Sequence, residues 1–526
     1  MSDPLYLQRE YRTANEPKVH PLVRKSFVFV PSAGARYAPE ELILEFMREV
    51  FYDKHSESTA DRRDIKPENK DEEKRYIFSI NERAVLHALR GRRKKSRNSK
   101  EQRSYAPAYF QLAKANWFGK NRERVVNNFL LSGPIAQHLW NRGQCTEEGK
   151  QRQQELVEKI WRALLGHNSY LGQNLGGKEI LAATLGPGSF DSNADLPTRK
   201  LQEKTNQCDS VLRIDNDELA NRITQDLVSL CDLESDLPRM QWLQLLMTFL
   251  RFALPMWLLA QMQITGLLHA WLIAAADNGN IASTDAVLLN LTRRNRGLLH
   301  PTLTPTRELF EHIERYMKCR VEVDILLYCI EKVRKEKIEE KTLSLGGGGR
   351  DVLGVDQLLT LARDASPDIR GMERFKHVAD GLDIQTFLTR EGEQFAAWRN
   401  PLMRGQGKNI DEFFRVLYRA ELGDEAGGYL LVPEGRGAMR GFRVFPGQML
   451  LKTVTYLAAH GKWSSQRHGG VGMLILQDVE EHFGQYGIDF STAADARPLL
   501  MKELQAMGLL TGSPDAGSSV AVACPY

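Results

Sequence analysis

Apolar residues recur at helical spacing along most of this chain and alternate at strand spacing in only a few short stretches. Glu41 to Phe51 (ELILEFMREVF) has apolar positions three and four apart, the mark of a helix with one buried face. A second short helix is predicted around Asn81 to Leu89. Between residues 106 and 172 the pattern is again helical. There Leu156, Ile160, Leu164 and Leu165 form an apolar stripe, while Glu155, Lys159 and Arg162 form a polar one. The stretch 215–341 is the most apolar and most helical. Within it, Thr304 and Pro305 offer a capping hydroxyl and a proline at the first helical position. Leu309, Ile313, Tyr316, Met317, Val323, Leu327 and Ile330 then keep the helical period towards Glu340. Strand alternation appears at Ser26 to Val30, and two more strands are predicted at Gly428 to Val432 and Gly441 to Phe445, joined by a turn through Glu434 to Gly437.

One helical stretch raises a second reading. From Phe252 to Ala276, twenty-five residues contain no Asp, Glu, Lys or Arg, enough to span a bilayer. Pro255, Gln261, Gln263, Gly266 and His269 interrupt it, and polar groups at mid-membrane need partners. Asp277-Asn-Gly-Asn280 then ends it as a turn. A buried core helix is the expectation, with a membrane-associated scaffold using 252–276 as the alternative.

Turn-rich and charged stretches divide the chain. Residues 1–105 form a charged, mixed α/β region, with charge dominating Asp53 to Lys74. A helical domain is expected over 106–184, followed by a loop over 185–214 whose LGPGSFDSNADLP is rich in turn formers. An apolar bundle over 215–341 precedes a glycine-rich linker at 342–350, which holds the run Gly346 to Gly349. A helical segment over 351–427 leads to a β-hairpin and terminal module over 428–526. The predicted class is mainly α: multidomain helical bundles with a C-terminal winged-helix-like α+β module.

Length supports this division, since 526 residues suggest about three or four domains. A net charge of +4 is too slight to imply a polyanionic partner by itself. Six cysteines (Cys145, Cys208, Cys231, Cys319, Cys329 and Cys524) contain no CxxC pair, which argues against a zinc ribbon and fits a reducing compartment. The opening MSDPLYLQREYRTANEP has no apolar core of a secretory signal. A cytoplasmic location is expected.

The last 85 residues carry the clearest pattern. Helices are predicted at Gln448 to His460, Val471 to Tyr486, and from Ser491 or Thr492 to Met507, with Leu499, Leu500, Leu504 and Met507 turned inward. Two strands follow, Leu509 to Thr511 and Ser519 to Ala523, around the turn-forming Gly512 to Gly517. This order, and the phrase LLMKELQAMGLLTGSPDAGSSVAV, resembles the winged-helix domain. The resemblance implies a third helix able to enter a DNA groove. Only Arg497 and Lys502 are available on it, beside Asp495 and Glu503, so protein docking is as natural a use.

Arg90, Arg92, Arg93, Lys94, Lys95, Arg97, Lys100 and Arg103 fall within fourteen residues, with Tyr105, Tyr109 and Phe110 close behind. Clustered cations bind a phosphate backbone by releasing its counterions, and aromatics can stack bases. The plainer reading is a solvated loop, or a localisation signal. Separately, Arg294-Asn295 followed by His300 is similar to the signature of HEPN-type RNases, which are helical bundles. That similarity would make His300 an acid or base, Arg294 a phosphate clamp, and Asn295 an orienting group. The plainer reading is His300 at a helix end and Arg294 in solvent. Glu480-Glu481-His482 could ligate a metal, but these residues face different directions on one helix and are expected in solvent.

GxxxxGK[ST], GxSxG, HExxH and GxGxxG are absent, which disfavours a P-loop NTPase and the enzymes built on the other three motifs. No cofactor is expected. The sequence therefore supports a non-catalytic subunit that binds DNA, RNA or protein partners. The class expectation for such chains is a prokaryotic DNA-processing or anti-phage defence assembly. A metal-independent RNase using Arg294 and His300 is the enzymatic alternative.

Overall fold

The computed structural model describes residues 217–279, 296–337, 353–372, 413–419, 427–435, 441–465, 473–491, 495–511 and 519–526. It adds the paired strands 90–94, 102–105 and 212–213, and the single positions 42, 134, 135, 138, 151, 155, 156, 159, 160, 163, 287 and 410. These residues are mostly helical. The expected strand at Ser26 to Val30, the charged stretch 53–74 and the loop 185–197 lie outside them.

Three short strand pairs are present. β1 (Arg90–Lys94) pairs antiparallel with β2 (Gln102–Tyr105), and β3 (Leu212–Arg213) pairs parallel with β4 (Leu353–Gly354). β5 (Leu431–Glu434) and β6 (Gly441–Val444) make the expected antiparallel pair, starting three residues later than predicted for β5.

Helix α1 (Glu218–Asp232) buries Leu219, Ile223, Leu227 and Leu230, one stripe at helical spacing. Asp217 caps it by accepting from the Ala220 N–H at 2.9 Å. Helix α2 (Arg239–Asn278) is forty residues long and contains Pro255. Its apolar residues lie on most sides, so little of it is given to water, with Gln244 and Ala270 exposed. It is long and apolar enough to cross a membrane, yet 89% of its most apolar window is buried by the rest of the protein. Gly279, at φ 68°, supplies the left-handed residue that ends it.

The neighbours of α2 divide along its length. Helix α3 (Glu308–Lys337) runs parallel to it, since Gln263 meets His312 and His269 meets Glu322 further along both helices. One apolar cluster joins Ile264, Leu268, Leu272 and Ala275 to Val323, Leu327 and Ile330 of α3, and to α4 (Val355–Asp364) and α5 (Ser366–Ile369). The Ser366 hydroxyl donates to the Ala276 carbonyl at 2.7 Å and so satisfies one carbonyl of the last turn of α2. A second cluster joins Trp242 to Met262 of α2 with α1, with β5 and β6, and with the chain after residue 448. Residues of 215–341 and of 428–526 thus share one core.

The α3 start departs from expectation. Residues 302–306 pair with β6 instead of opening the helix: Thr306 and Phe442 exchange backbone hydrogen bonds at 2.9 Å in both directions. That pairing holds Pro305 outside the helix and delays its first turn to Glu308. On the other side of the β5–β6 pair, the Arg419 N–H donates to the Leu431 carbonyl. Buried Arg251 of α2 ties this layer down by donating to the carbonyls of Val416 and Tyr418, the latter at 2.6 Å.

The terminal segment contains α6 (Gln448–Ser465), α7 (Leu476–Gln485) and α8 (Ala496–Ala506). Helix α7 begins five residues later than predicted because Ile475 is extended and the chain at 474–476 bonds to 520–522: Leu476 N–H donates to Val520, and Val522 N–H to Leu474. Residues 520–523 bond on their other side to 509–511, through Thr511 to Ala521 and Ala523 to Leu509. Both bridges, Ile475 with Ala521 and Leu510 with Val522, are antiparallel. Phe483 of α7 and Tyr486 just after it pack against Phe252, with ring centroids 5.9 and 5.0 Å away. Phe252→Ala is expected to lower stability by about 3–5 kcal/mol, the usual cost of emptying a packed aromatic site. Urea unfolding followed by circular dichroism would measure it.

Candidate functional site

The basic segment forms part of an antiparallel ribbon. Arg90, Arg92, Arg93 and Lys94 lie in β1 and Arg103 in β2, while Lys95, Arg97 and Lys100 lie outside the described residues. In the register Arg93 stands directly opposite Arg103, Lys94 opposite Gln102, and Arg90 opposite Tyr105, with an irregularity between Arg90 and Arg93. A directly opposed pair of like charges works against strand pairing.

Helix α8 offers less. Arg497 is held by Glu480 of α7, its Nε donating to Oε1 at 2.6 Å and its Nη2 to Oε2. These hydrogen bonds raise its pKa and leave its charge neutralised locally. Lys502 is exposed. The expectation that Glu480, Glu481 and His482 all lie in solvent holds for Glu481 alone. Glu480 and His482 are buried, because α7 presents that edge to α8 and α1. The signal available in the sequence was Asp226, a carboxylate in the apolar stripe of α1 that requires a partner.

That partner is a buried polar joint. Asp226 Oδ2 accepts from His482 Nε2 at 2.9 Å and from the Tyr486 hydroxyl at 2.6 Å, while Arg222 Nη1 lies 3.5 Å from Oδ1. Burial alone would raise the Asp226 pKa, but His482, Arg222 and Tyr486 outweigh it and hold the carboxyl below its ordinary value. Burial and the Asp226 charge push the Tyr486 phenol well up. Beside the joint, a cleft of about 630 Å³ opens between α1 and α7. It is lined by Glu218, Arg222, Arg296, Glu481 and Asp489 among others, three carboxylates against two guanidinium groups, so it gives no attraction to a polyanion.

Arg294 and Asn295 lie outside the described residues. His300 falls in the extended link after Arg296, not within a helix. Its Nδ1 lies 2.5 Å from Glu308 Oε1, and its backbone N–H donates to Oε2 at 3.0 Å. Glu308, in the first turn of α3, thereby closes the turn 300–308. Sequence reading missed this residue because nothing local pairs it with His300. Among the described residues, no group of three or more His, Cys, Asp or Glu is arranged to hold a metal ion.

No family model, no curated protein and no solved structure matches this chain.

Two expectations follow from the joint and from His269. Asp226→Asn should cost roughly 3–5 kcal/mol at pH 7, since it removes one partner of a buried pair. The stability that wild-type Asp226 adds is present above pH 3.8 and is lost as pH falls through its lower folded value. The variant should therefore lose this part of the acid dependence of unfolding. For His269, burial disfavours the cation, but Cys319 and Glu322 outweigh it and push the pKa up to about 9. Its contribution is present below pH 6.5 and is lost as pH rises through about 9. Thermal unfolding between pH 6 and 10 should show this loss in wild type and not in His269→Ala.

Proposed function

We propose that this chain is a non-catalytic nucleic-acid-binding subunit. In this reading the β1–β2 ribbon contacts the phosphate backbone, and residues 441–526 form a winged-helix module that docks protein. The observation that carries the reading is the ribbon register, which sets cations opposite one another within a segment holding eight of them in fourteen residues. A two-stranded ribbon is narrow enough to lie in the major groove of B-DNA, and cations spaced along it release counterions on binding.

The winged-helix reading is supported by the order α6, 474–475, α7, α8, 509–511, 520–523, with 520–523 bonded between the other two extended stretches. Docking is favoured over groove reading for α8 because Arg497 is tied to Glu480 and Lys502 is left without a basic cluster around it. His300 serves the turn that Glu308 closes, so RNA cleavage is not part of this reading.

Binding to labelled DNA and RNA across a salt series tests it. Wild type should bind with a steep salt dependence. Changing Arg92, Arg93, Lys94 and Lys95 together to alanine should flatten the slope by about 0.9 for each phosphate that is no longer neutralised. Lys502→Ala and His300→Ala should bind as wild type. Absence of binding at low salt, or an unchanged slope in the quadruple variant, contradicts the reading. RNA cleavage that disappears in His300→Ala would replace it with the RNase alternative.

A further inference from the structure

The β1–β2 ribbon has two faces, and its register assigns residues to each. Residues directly opposite one another in an antiparallel pair share a face, and along one strand the face alternates with every residue. Arg93 stands opposite Arg103, so these two share a face. Tyr105 lies two residues beyond Arg103 on β2 and belongs to the same face, together with its own partner Arg90. Three arginines and one tyrosine are thus collected on one side of the ribbon.

Spacing along β1 alone would not give this result. Arg90 and Arg93 are three residues apart, and in an unbroken strand they would lie on opposite faces. Between those two paired positions β1 holds Gly91 and Arg92, where β2 holds only Ser104. Two residues against one is the count of a β-bulge, to which a glycine is well suited. The bulge shifts the alternation by one residue and brings Arg90 onto the face of Arg93. The second face receives Lys94, Gln102 and Ser104, with Arg92 at the bulge opposite Ser104.

The cations of the first face are all arginine, although the same run holds Lys94, Lys95 and Lys100. Lysine meets a phosphate as a point charge, whereas the planar guanidinium also bonds two acceptors at once. In the major groove only guanine presents two adjacent acceptors, O6 and N7. Two strands about 4.8 Å apart fit a groove about 12 Å wide, while the deep, narrow major groove of A-form RNA excludes them. The one tyrosine of this face does not supply the successive stacking platforms that single strands use.

On the nucleic-acid-binding reading given above, we propose that the ribbon enters the major groove of duplex DNA with its Arg90, Arg93, Arg103 and Tyr105 face against the base edges, and that this face selects guanine. The second face, with Arg92 and Lys94, contributes charge and no base readout.

The test is equilibrium binding of the full-length protein to three labelled duplexes of equal length. One is rich in G·C pairs, one has the same sequence with 7-deazaguanine, and one is built of A·T pairs. The 7-deaza base lacks the N7 acceptor but keeps charge and pairing. Wild type should prefer the G·C duplex over both others by about tenfold or more, the discrimination of a bidentate contact. Arg93→Lys combined with Arg103→Lys keeps the charge and should lose that preference. Arg92→Ala combined with Lys94→Ala should weaken all three duplexes alike and leave the preference in place. Equal wild-type affinity for the three duplexes, with a steep salt dependence, overturns the guanine assignment while the nucleic-acid reading stands. Tighter binding to single-stranded DNA or to RNA does the same. Loss of the preference in the Arg92 and Lys94 variant overturns the face assignment. Absence of binding to any nucleic acid at low salt removes the underlying reading and this inference with it. The wild-type comparison decides even where a variant does not fold.

Discussion

Much of the described structure answers to one constraint: α2 is apolar on most sides over most of its forty residues and needs cover along its length. Such a helix is about 60 Å long, more than one neighbouring element can cover. Its first half is covered by α1, the β5–β6 pair and the terminal segment, and its second half by α3, α4 and α5. Two apolar clusters result, strung on one helix.

Apolar cover does not fix registry, and a few buried polar groups do. Arg251 fastens the strand layer by donating to two carbonyls, those of Val416 and Tyr418. Asp226 fastens α7 to α1 through His482 and Tyr486. Glu308 closes the link that runs from residue 300 to α3. Each such group is costly to bury without its partner, so each discriminates against slipped packings. The terminal segment is therefore packed against α2 within the same apolar cluster.

The sequence made the helical character legible, because apolar spacing in α1, α2, α3 and α6 is a local property. It made the fate of Phe252 to Ala276 legible too, since Gln261, Gln263 and His269 suit a protein interior better than lipid. What it did not reveal depends on pairings between residues distant in the chain. Thr304 and Pro305 carry a good helix-start pattern, yet pairing of 302–306 with β6 overrides it. Glu480 and His482 read as surface residues until α8 and α1 supply Arg497 and Asp226. Glu308 and His300 are eight residues apart, with no periodic rule that joins them. The register of β1 with β2, on which the functional reading rests, is likewise set by pairing, whereas the sequence displayed only a dense run of cations.

Native-state hydrogen exchange tests most directly whether α2 is the shared core of bundle and terminal segment. If it is, amides of α2 from Trp242 to Met262 exchange with the same free energy as those of α6 and α7, in one cooperative opening. Exchange of α6 and α7 through a separate, lower-energy opening, with α2 protection intact, would contradict the account and make the terminal segment an independent unit.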